Sequence, residues 1–353
     1  MRKSALVITS MVVMVVLVAG CGGAVIPAGR SYVPSRLDGA PTSDVVSAEF
    51  AEVAPIIDGV VTDLEDVWSD ATEVILTAKD ETTEVPVSMK AAYDDHNVYL
   101  LFTWADDKAH IGGKMWEMRE RDGQKSWKFG SQLGKEDMIS IAFESTKIEG
   151  FETEGCNVLC HSGPNYMLAP NMGEFLDVWT WRAASTFFTA AATNHVVGPL
   201  GPSFDQDAED FNTKSAIINM PGSLIQNMIN VASPAYVMSR GLAPTQIGDF
   251  TLMEPVPEDI NSLPLSKAPY FMKLPGKPDI VCMASYNDED EENKFWTVEM
   301  RRPLTTDNPL QVQFAHNPAE DGYYLFHLSI FDNQMGEGHI YTEAPATLEF
   351  VGK

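Results

Sequence analysis

Two cysteines and a histidine stand close together near the middle of the chain. Three residues separate Cys156 from Cys160, and His161 follows the second cysteine directly, in the segment EGCNVLCHSG. In c-type cytochromes two thiols add to the vinyl groups of haem, and the histidine beside the second thiol ligates the iron. The usual spacing has two residues between the cysteines, and this chain has one more. A covalent haem site is therefore the first hypothesis, with two thioethers and His161 as the proximal ligand.

Two other chemistries compete for the same residues. A structural disulfide between Cys156 and Cys160 would suit an oxidising compartment. A zinc or copper site would need a second close pair of cysteine or histidine ligands, which the sequence does not offer beside this segment. The spacing by itself does not separate the haem site from the disulfide.

The N-terminus predicts export and lipidation. Arg2 and Lys3 precede an apolar, uncharged run over residues 5–20, which is shorter than the roughly 20 residues of a spanning helix. Val-Ala-Gly-Cys at 18–21 resembles the lipobox of bacterial lipoproteins, which implies cleavage before Cys21 and lipid on its sulfur. An uncleaved signal anchor is the alternative. We expect a membrane-anchored lipoprotein in the periplasm or on the cell surface.

Composition excludes several classes of protein. The chain has 353 residues, 24 Lys+Arg against 50 Asp+Glu, and a formal charge of −26. Loss of residues 1–20, with two positive charges, would make that charge −28. An acidic surface argues against nucleic-acid binding, because it cannot neutralise phosphates. Four cysteines are too few for a disulfide scaffold, whereas 44% apolar residues suffice for a core.

The rest of the chain has the pattern of an all-β protein. Residues 21–47 are rich in Gly, Pro and Ala and predict a lipidated flexible tether, and 48–353 predict one domain. Alternating apolar and β-branched runs predict strands at Val85–Tyr93, Asn97–Ala105, Met138–Phe143, Val178–Ala183, Ile280–Ser285, Phe295–Met300 and Tyr323–Phe331. We expect a single antiparallel β-sandwich, DOMON-like or immunoglobulin-like, with long loops and a few short helices. The longest loop covers 185–275, and the best short helix is Ser223–Val231.

Several polar residues outside the Cys-His segment have structural expectations. The acidic run Asp288–Glu292 predicts a solvated hairpin loop, or a docking patch for a basic redox partner. His96 is expected to face solvent in a turn, and His327, inside YYLFHLSIF, to be a satisfied core or sheet-face histidine. Cys282 is expected to be a buried small hydrophobe. No partner is evident for His110, His195 and His316.

A family resemblance adds to this reading. The segment CNVLCHSGPNYMLAPNMGEFLDVWTWRA at 156–183 resembles the haem-binding domain family that includes the γ subunit of ethylbenzene dehydrogenase and related DMSO-reductase-type complexes. A Cys-x3-Cys-His segment followed by Gly and Asp-x-Trp-x-Trp-Lys/Arg is typical of members with covalent haem. The matching residues are Gly173, Asp177, Trp179, Trp181 and Arg182. Flanking matches at 57–68, 90–100, 296–304 and 324–332 are also shared by carbohydrate-binding family 9 sandwiches and the DOMON group.

The resemblance implies a β-sandwich that holds one haem between loops at its edge and transfers electrons outside the cytoplasm. It implies no catalysis by this chain itself. The partner would be a redox protein, either a molybdopterin oxidoreductase or another cytochrome. Export before haem attachment agrees with the predicted signal peptide.

A second axial ligand would come from a distant loop. In relatives the iron is held by Met and Lys, or by Met and His, and the distal residue lies near the C-terminal strands. Here the matching stretch, 332–339, contains His339 and no lysine. His339 is therefore the first candidate, with Met172 and Met167 as alternatives.

Three residues of the matching run are candidates for contact with the haem itself. Trp179 and Trp181 would lie on one face of a strand, against the macrocycle or in the core of the sandwich. Arg182 would point to the opposite face from Trp181 and pair with a propionate.

An alternative function belongs to a different class. The family-9-like flanks favour a surface lipoprotein that captures carbohydrate through its tryptophans, without haem and with a Cys156–Cys160 disulfide. A sugar site gives no reason for a histidine directly after the second cysteine.

Overall fold

The computed structural model describes most of the chain from residue 44 to residue 352. The described ranges are 44–61, 66–110, 115–129, 136–159, 167–183, 190–199, 224–226, 233–238, 253–264, 267–269, 271–273, 280–314, 323–334 and 339–352. The predictions for the signal peptide, Cys21, Cys160, His161 and His316 lie outside these residues.

Strands dominate the described residues. In chain order the elements are β1 (Val45–Phe50), α1 (Asp66–Asp70), β2 (Val74–Lys79), β3 (Glu84–Tyr93), β4 (Asn97–Ala105), β5 (Met115–Arg121), β6 (Gln124–Phe129), β7 (Glu136–Glu144), α2 (Phe151–Glu154), a 3-10 turn (Gly155–Val158), β8 (Leu176–Arg182), β9 (Thr193–Val197), β10 (Leu224–Gln226), β11 (Tyr236–Met238), β12 (Met253–Pro255), a 3-10 turn (Ile260–Ser262), β13 (Lys267–Pro269), β14 (Phe271–Lys273), β15 (Val281–Asn287), β16 (Phe295–Pro303), β17 (Tyr323–Gln334), β18 (Ile340–Thr342) and β19 (Ala346–Val351). None of these helices is long and apolar enough to cross a membrane.

One 12-stranded sheet builds the domain, in the order β15-β16-β4-β3-β1-β19-β17-β7-β8-β9, with β2 and β18 attached beside it. β1 runs parallel to its two neighbours, and the other pairings in the sheet are antiparallel. The sheet folds over on itself, because a bridge joins Ala191 to Val281 at its two ends. Trp181 of β8 also packs 4.9 Å from Trp296 of β16, ring centroid to centroid. The all-β sandwich is therefore confirmed, with the parallel β1 as an added feature.

The predicted hairpin at 85–105 forms as expected. β3 and β4 pair in an antiparallel register in which Val87 lies opposite Trp104 and Tyr93 lies opposite Val98. The turn is closed by Asp94, whose Oδ1 accepts hydrogen bonds from the backbone N–H groups of His96 and Asn97, both at 2.7 Å. An aspartate that accepts from residues two and three positions ahead is an Asx-type turn. His96 is exposed in this turn, as predicted.

The strands β7, β8 and β17 separate two apolar clusters. Their inner face carries Phe143, Trp179, Trp181, Phe326 and Leu328 into the main core. Alternate residues point to the opposite side, which we call the outer face, where Ala142, Val178 and Leu325 belong to a second cluster. The two faces follow from the period of two along a strand. Both are buried, so these strands are apolar on both sides.

Residues of the two family-like flanks meet in one hydrogen-bond network. The buried carboxylate of Glu299 accepts from the backbone N–H of Asp58 at 3.1 Å, from that of Gly59 at 2.7 Å and from Trp68 Nε1 at 2.8 Å. Gly59 has φ +83, and a Cβ there would lie 2.6 Å from the carbonyl carbon of Ala284. Only glycine permits this approach. The flanks therefore fasten the N-terminal segment to the sheet.

Asp177 and Arg302, from the two matching runs, form a buried ion pair within the main core. Arg302 Nη2 lies 3.4 Å from Asp177 Oδ2, which also accepts the N–H of Val312 at 2.9 Å. The guanidinium lies 5.0 Å from the ring centroid of Trp179. A buried charge pair of this kind is tolerated because further polar and aromatic partners surround it.

Other sequence predictions are confirmed or corrected by the described residues. The seven predicted strands correspond to β3, β4, β7, β8, β15, β16 and β17. Asp288–Glu292 is the exposed hairpin loop between β15 and β16, and Cys282 is buried in the core, where burial raises the pKa of its thiol. The prediction of one long loop over 185–275 was wrong, because this range contains β9, which belongs to the 12-stranded sheet. The prediction of a helix at Ser223–Val231 was wrong for its described residues, because Leu224–Gln226 is strand β10 and pairs with β14.

Candidate functional site

The segment that carries the first cysteine packs on the outer face. A turn leads into α2 and then into the 3-10 turn that contains Cys156. Glu144, the last residue of β7, holds this turn by accepting the N–H of Ile148 at 2.7 Å. Burial raises the pKa of Glu144 to about 7. Phe151 is completely buried in the second apolar cluster, and it anchors the segment.

Cys156 is held by His327, a residue of β17. The thiol sulfur lies 2.8 Å from His327 Nδ1, and the backbone N–H of Cys156 donates to the same nitrogen at 3.1 Å. Gly155 makes this approach possible: it has φ +57, and a Cβ at that position would lie 2.7 Å from His327 Cγ. Any other residue at 155 would collide with the imidazole.

The hydrogen bonds of His327 define its protonation state. Nδ1 accepts from Cys156, so the ring proton is on Nε2, which donates to the carbonyl oxygen of Thr342. Burial lowers the pKa of His327 to about 4. The imidazole is therefore neutral at physiological pH, with both nitrogens engaged. His327 is the hydrogen-bonded sheet-face histidine that the sequence indicates, and its partner is Cys156 of the Cys-x3-Cys-His segment.

The thiol of Cys156 lies in apolar surroundings. The second cluster groups it with Met167, which is 9% exposed, and with aliphatic residues of β7, β8 and β17. The described residues before and after 160–166 are joined by a backbone hydrogen bond, in which the N–H of Leu168 donates to the carbonyl oxygen of Leu159 at 3.1 Å. Met172, the other methionine candidate, is 62% exposed. The structure thus brings Met167 to Cys156 and leaves Met172 in solvent.

His339 belongs to the same side of the sheet. Its ring centroid lies 5.0 Å from that of Phe331 and 5.8 Å from that of Tyr341. Tyr341 lies in turn 5.6 Å from the ring of His327. A row of rings therefore connects His339 to the histidine that holds Cys156.

The strand β8 presents its candidate residues to two different faces. Trp179 and Trp181 point into the main core, where Trp179 packs 4.8 Å from Phe143 and Trp181 packs 6.3 Å from Trp104. They therefore lie on the face opposite to Cys156. Arg182 points to the outer face, as predicted from alternation. Its Nε lies 3.4 Å from Glu136 Oε1 and 2.9 Å from Met138 Sδ, so a carboxylate already accompanies this guanidinium.

The described residues of the outer face fit a haem group. Cys156 and Met167 provide a buried thiol and a nearly buried thioether in the second apolar cluster, and His339 provides an imidazole on the same side of the sheet. These are the types of side chain that attach or ligate haem in cytochromes. Cys160 and His161 follow this region in the chain but lie outside the described residues. His327 is the contributor that sequence reasoning did not assign to the site. The alternation along β17 puts His327 on the same face as Tyr323 and Leu325, and this could be read from the sequence. Nothing in the sequence indicated that His327 would contact Cys156.

Two solved structures with a similar chain course, both at low similarity, are described as carbohydrate-binding. One is a carbohydrate-binding module of family 9 from Caldicellulosiruptor kristjanssonii in complex with cellotriose, at 10% identity and a TM-score of 0.35, covering 88% of this chain and 95% of that one. Another is a proposed carbohydrate-binding protein from Bacteroides uniformis, at 8% identity and a TM-score of 0.35, covering 88% and 100%. No curated protein matches the sequence significantly.

The family comparison covers the Cys-His segment and the flanking matches apart from residues 57–60. The family model described as ethylbenzene dehydrogenase matches residues 61–342, which include β2 to β18 and every candidate residue of the outer face. The chain therefore belongs to the ethylbenzene dehydrogenase family, and with that family it has a redox-associated role.

Proposed function

We propose that this protein is a lipid-anchored, monohaem c-type cytochrome that passes electrons to or from a redox partner. The observation that carries the proposal is the position of Cys156, whose thiol His327 holds within a buried apolar cluster. Family membership supports the same role. Haem bound there would supply one-electron exchange at its iron, and the protein would supply attachment, orientation and a dry environment.

Each residue of the site has a separate task in this proposal. Cys156 and Cys160 attach the haem through thioethers, and His161 is the proximal ligand. His339 is the first choice for the second axial ligand, because it lies on the outer face beside Tyr341 and Phe331. Met167 is the alternative, because it is close to Cys156 and buried. Imidazole in the second position would give a lower reduction potential than a thioether.

The proposed location and partners follow from the sequence. Lipid on Cys21 would keep the domain at a membrane surface outside the cytoplasm. The predicted tether would let it reach a partner, but it ends at residue 44 and not at 47, because Val45–Phe50 is strand β1 of the sheet. The exposed loop Asp288–Glu292 is a suitable docking patch for a basic redox partner, because charge complementarity speeds encounter. That partner would be a molybdopterin oxidoreductase or another cytochrome.

The carbohydrate-binding alternative lacks a tryptophan platform. Six of the seven tryptophans in the chain are buried, and Trp127 is half-buried. Sugar capture by exposed indoles therefore has no support among the described residues, all seven tryptophans included.

Haem attachment can be tested on the full-length chain. The chain is expressed in a bacterial host with haem-attachment machinery, denatured, and examined as a pyridine haemochrome. We expect haem that stays with the denatured protein. It should remain attached through one thioether in Cys156→Ala or Cys160→Ala and should be lost on denaturation only when both cysteines are replaced. Cys282→Ala is the matched control, because Cys282 is an equally buried thiol in the main core. The absence of a Soret band would overturn the proposal. Binding of the protein to immobilised sugars on a glycan array would then support the alternative.

The axial ligands require a second set of variants. His339→Ala should leave the haem attached while changing its visible spectrum and potential. Met167→Leu keeps the volume and apolar character of the side chain and should change neither. The reverse pattern would make Met167 the ligand.

A further inference from the structure

Three segments bring a histidine and carboxylates together at one end of the sandwich. His110 follows β4, Asp137 is the second residue of β7, and Asp332 stands near the end of β17. His110 Nδ1 lies 3.1 Å from Asp137 Oδ1 and 3.6 Å from Asp332 Oδ1. One ligand atom from each of the three residues lies within 4.8 Å of the others, and this is a spacing that only this group shows among the described residues.

The fold fixes the position of two of these side chains. Asp137 is completely buried and accepts the N–H of His110 at 2.6 Å, Trp296 Nε1–H at 3.2 Å and the N–H of Asn333 at 3.0 Å. The last bond belongs to an irregular step in β17 between Phe331 and Gln334, where Asn333 has φ 49. Bulges of this kind redirect a side chain at the end of a strand. Here the side chain beside the irregular step is Asp332.

Asp106 is a further carboxylate beside this group. It is 8% exposed; its Oδ1 accepts the N–H of Lys108 at 2.9 Å, whereas its buried Oδ2 has no hydrogen-bond partner. Asp137, Asp332 and His110 are close enough for their charges to act on it, the first two unfavourably. A buried carboxylate oxygen without a partner is costly unless a cation or proton accompanies it. Two carboxylates therefore lie within 3.6 Å of one imidazole nitrogen, and the buried carboxylate of Asp106 is a third negative group close enough to interact with them.

We propose that His110, Asp137 and Asp332, with Asp106 beside them, form a binding site for one divalent first-row transition-metal ion. Ligand atoms about 2.1 Å from a tetrahedral ion lie about 3.4 Å apart, close to the spacing of His110 Nδ1 from the two carboxylates. An imidazole ligand favours Zn²⁺ or Mn²⁺ over Ca²⁺, which prefers oxygen ligands alone. The ion would take the place of the proton that His110 Nδ1 shares with Asp137.

This site is independent of the proposed haem. Asp137 has its carboxylate on the core side of β7, next to Trp296, whereas Cys156 lies on the outer face. A bound ion would tie β4, β7 and β17 together at the open end of the sandwich. It would therefore stabilise the fold, as any ligand that binds only the native state does.

Zinc alone is the probe for the test. The untagged full-length chain is freed of metal with a chelator, dialysed into buffered 0.15 M salt (chosen on the order of physiological ionic strength) and titrated with Zn²⁺ by calorimetry. We expect saturable binding of one ion and a higher melting temperature. Asp332→Asn and His110→Ala should each weaken binding at least tenfold (roughly the loss expected for a removed ligand or its support). Both positions are at least partly exposed, so these variants should still fold.

Matched controls separate this site from the general negative charge of the protein. Glu81→Gln and His96→Ala remove the same groups from exposed turns and should bind Zn²⁺ like the wild type. Cys156→Ala, which removes one of the two thiols proposed to attach haem, should also retain the zinc site. Binding that survives both His110→Ala and Asp332→Asn, the absence of saturable binding, or equal binding of Ca²⁺ would overturn the proposal.

Discussion

The thiol sulfur of Cys156 lies 2.8 Å from Nδ1 of His327, although 171 positions separate the two residues in the chain. This contact joins the Cys-x3-Cys-His segment to strand β17 on the outer face. His327 in turn donates to the carbonyl of Thr342 in β18. One neutral imidazole thereby orients the thiol and connects three parts of the chain.

Replacement of His327 should destabilise the protein. His327→Ala leaves the N–H of Cys156 and the carbonyl of Thr342 without this partner in a buried region and opens a cavity. We expect the free energy of unfolding to fall by about 2–4 kcal/mol, measured by urea denaturation of the haem-free chain. His96→Ala, at an exposed turn, should change it by less than about 0.5 kcal/mol. Equal effects of the two substitutions would contradict the role given to His327.

The low pKa of His327 predicts a loss of stability in acid. The unfolded chain binds a proton at this histidine below about pH 6.5, whereas the folded chain binds it only near pH 4. Stability from the neutral imidazole is thus complete above pH 6.5 and is lost as the pH falls towards 4. The loss should reach about 3 kcal/mol at most.

The measurement compares urea midpoints of the wild type and His327→Gln between pH 4 and pH 7.5. The difference between them should shrink as the pH falls, because glutamine does not titrate. His339 and Tyr341 lie beside this ring and are present in both proteins. A difference that is constant with pH would show that folding does not lower the pKa of His327.

Glu144 should have the opposite pH dependence. Burial raises the pKa of Glu144 to about 7, so the folded state holds its proton more tightly than the unfolded state does. This contribution favours folding at low pH and is lost as the pH rises from about 4.5 through 7. Glu144→Gln keeps an acceptor for the N–H of Ile148 without the charge. The variant should be more stable than the wild type by about 1–3 kcal/mol at pH 8.5.

Thermal melts at pH 5 and pH 8.5 test this expectation. The advantage of Glu144→Gln should be present at the higher pH and absent at the lower one. Lys147 Nζ lies 3.8 Å from Glu144 Oε1 and 2.7 Å from Glu152 Oε2. Glu152→Gln is therefore a suitable control, because Glu152 is exposed and pairs with the same lysine. A destabilised Glu144→Gln at pH 8.5 would mean that the charge itself is needed for the turn before α2.

Trp181 should matter for stability rather than for the haem. Its ring packs between Trp104 and Trp296 in the main core, away from Cys156. Trp181→Phe removes part of this packing and should lower stability by about 1–3 kcal/mol, with the Soret band of the haem-loaded protein unchanged. A shifted Soret band with unchanged stability would instead put the indole against the macrocycle.

The sequence by itself determined the class of fold and pointed to the segment that we propose binds haem. Alternation of apolar residues is a local property, so it identified seven of the eight described strands that have at least seven residues, and the hairpin whose turn Asp94 closes. The same alternation separated Arg182 from Trp181. The spacing of Cys156, Cys160 and His161 is also local, and it indicated either covalent haem or a disulfide before any strand was placed.

Only the tertiary structure decided which distant residues meet. The register of β7 against β17 puts His327 under Cys156, and the irregular end of β17 puts Asp332 beside His110. Both contacts depend on how the sheet folds back on itself, a property that no short segment encodes. For the same reason the tryptophans turned out to face the core. Periodicity assigns residues to a face, but only the packing of the sheet decides which face meets the core and which meets the cysteine segment.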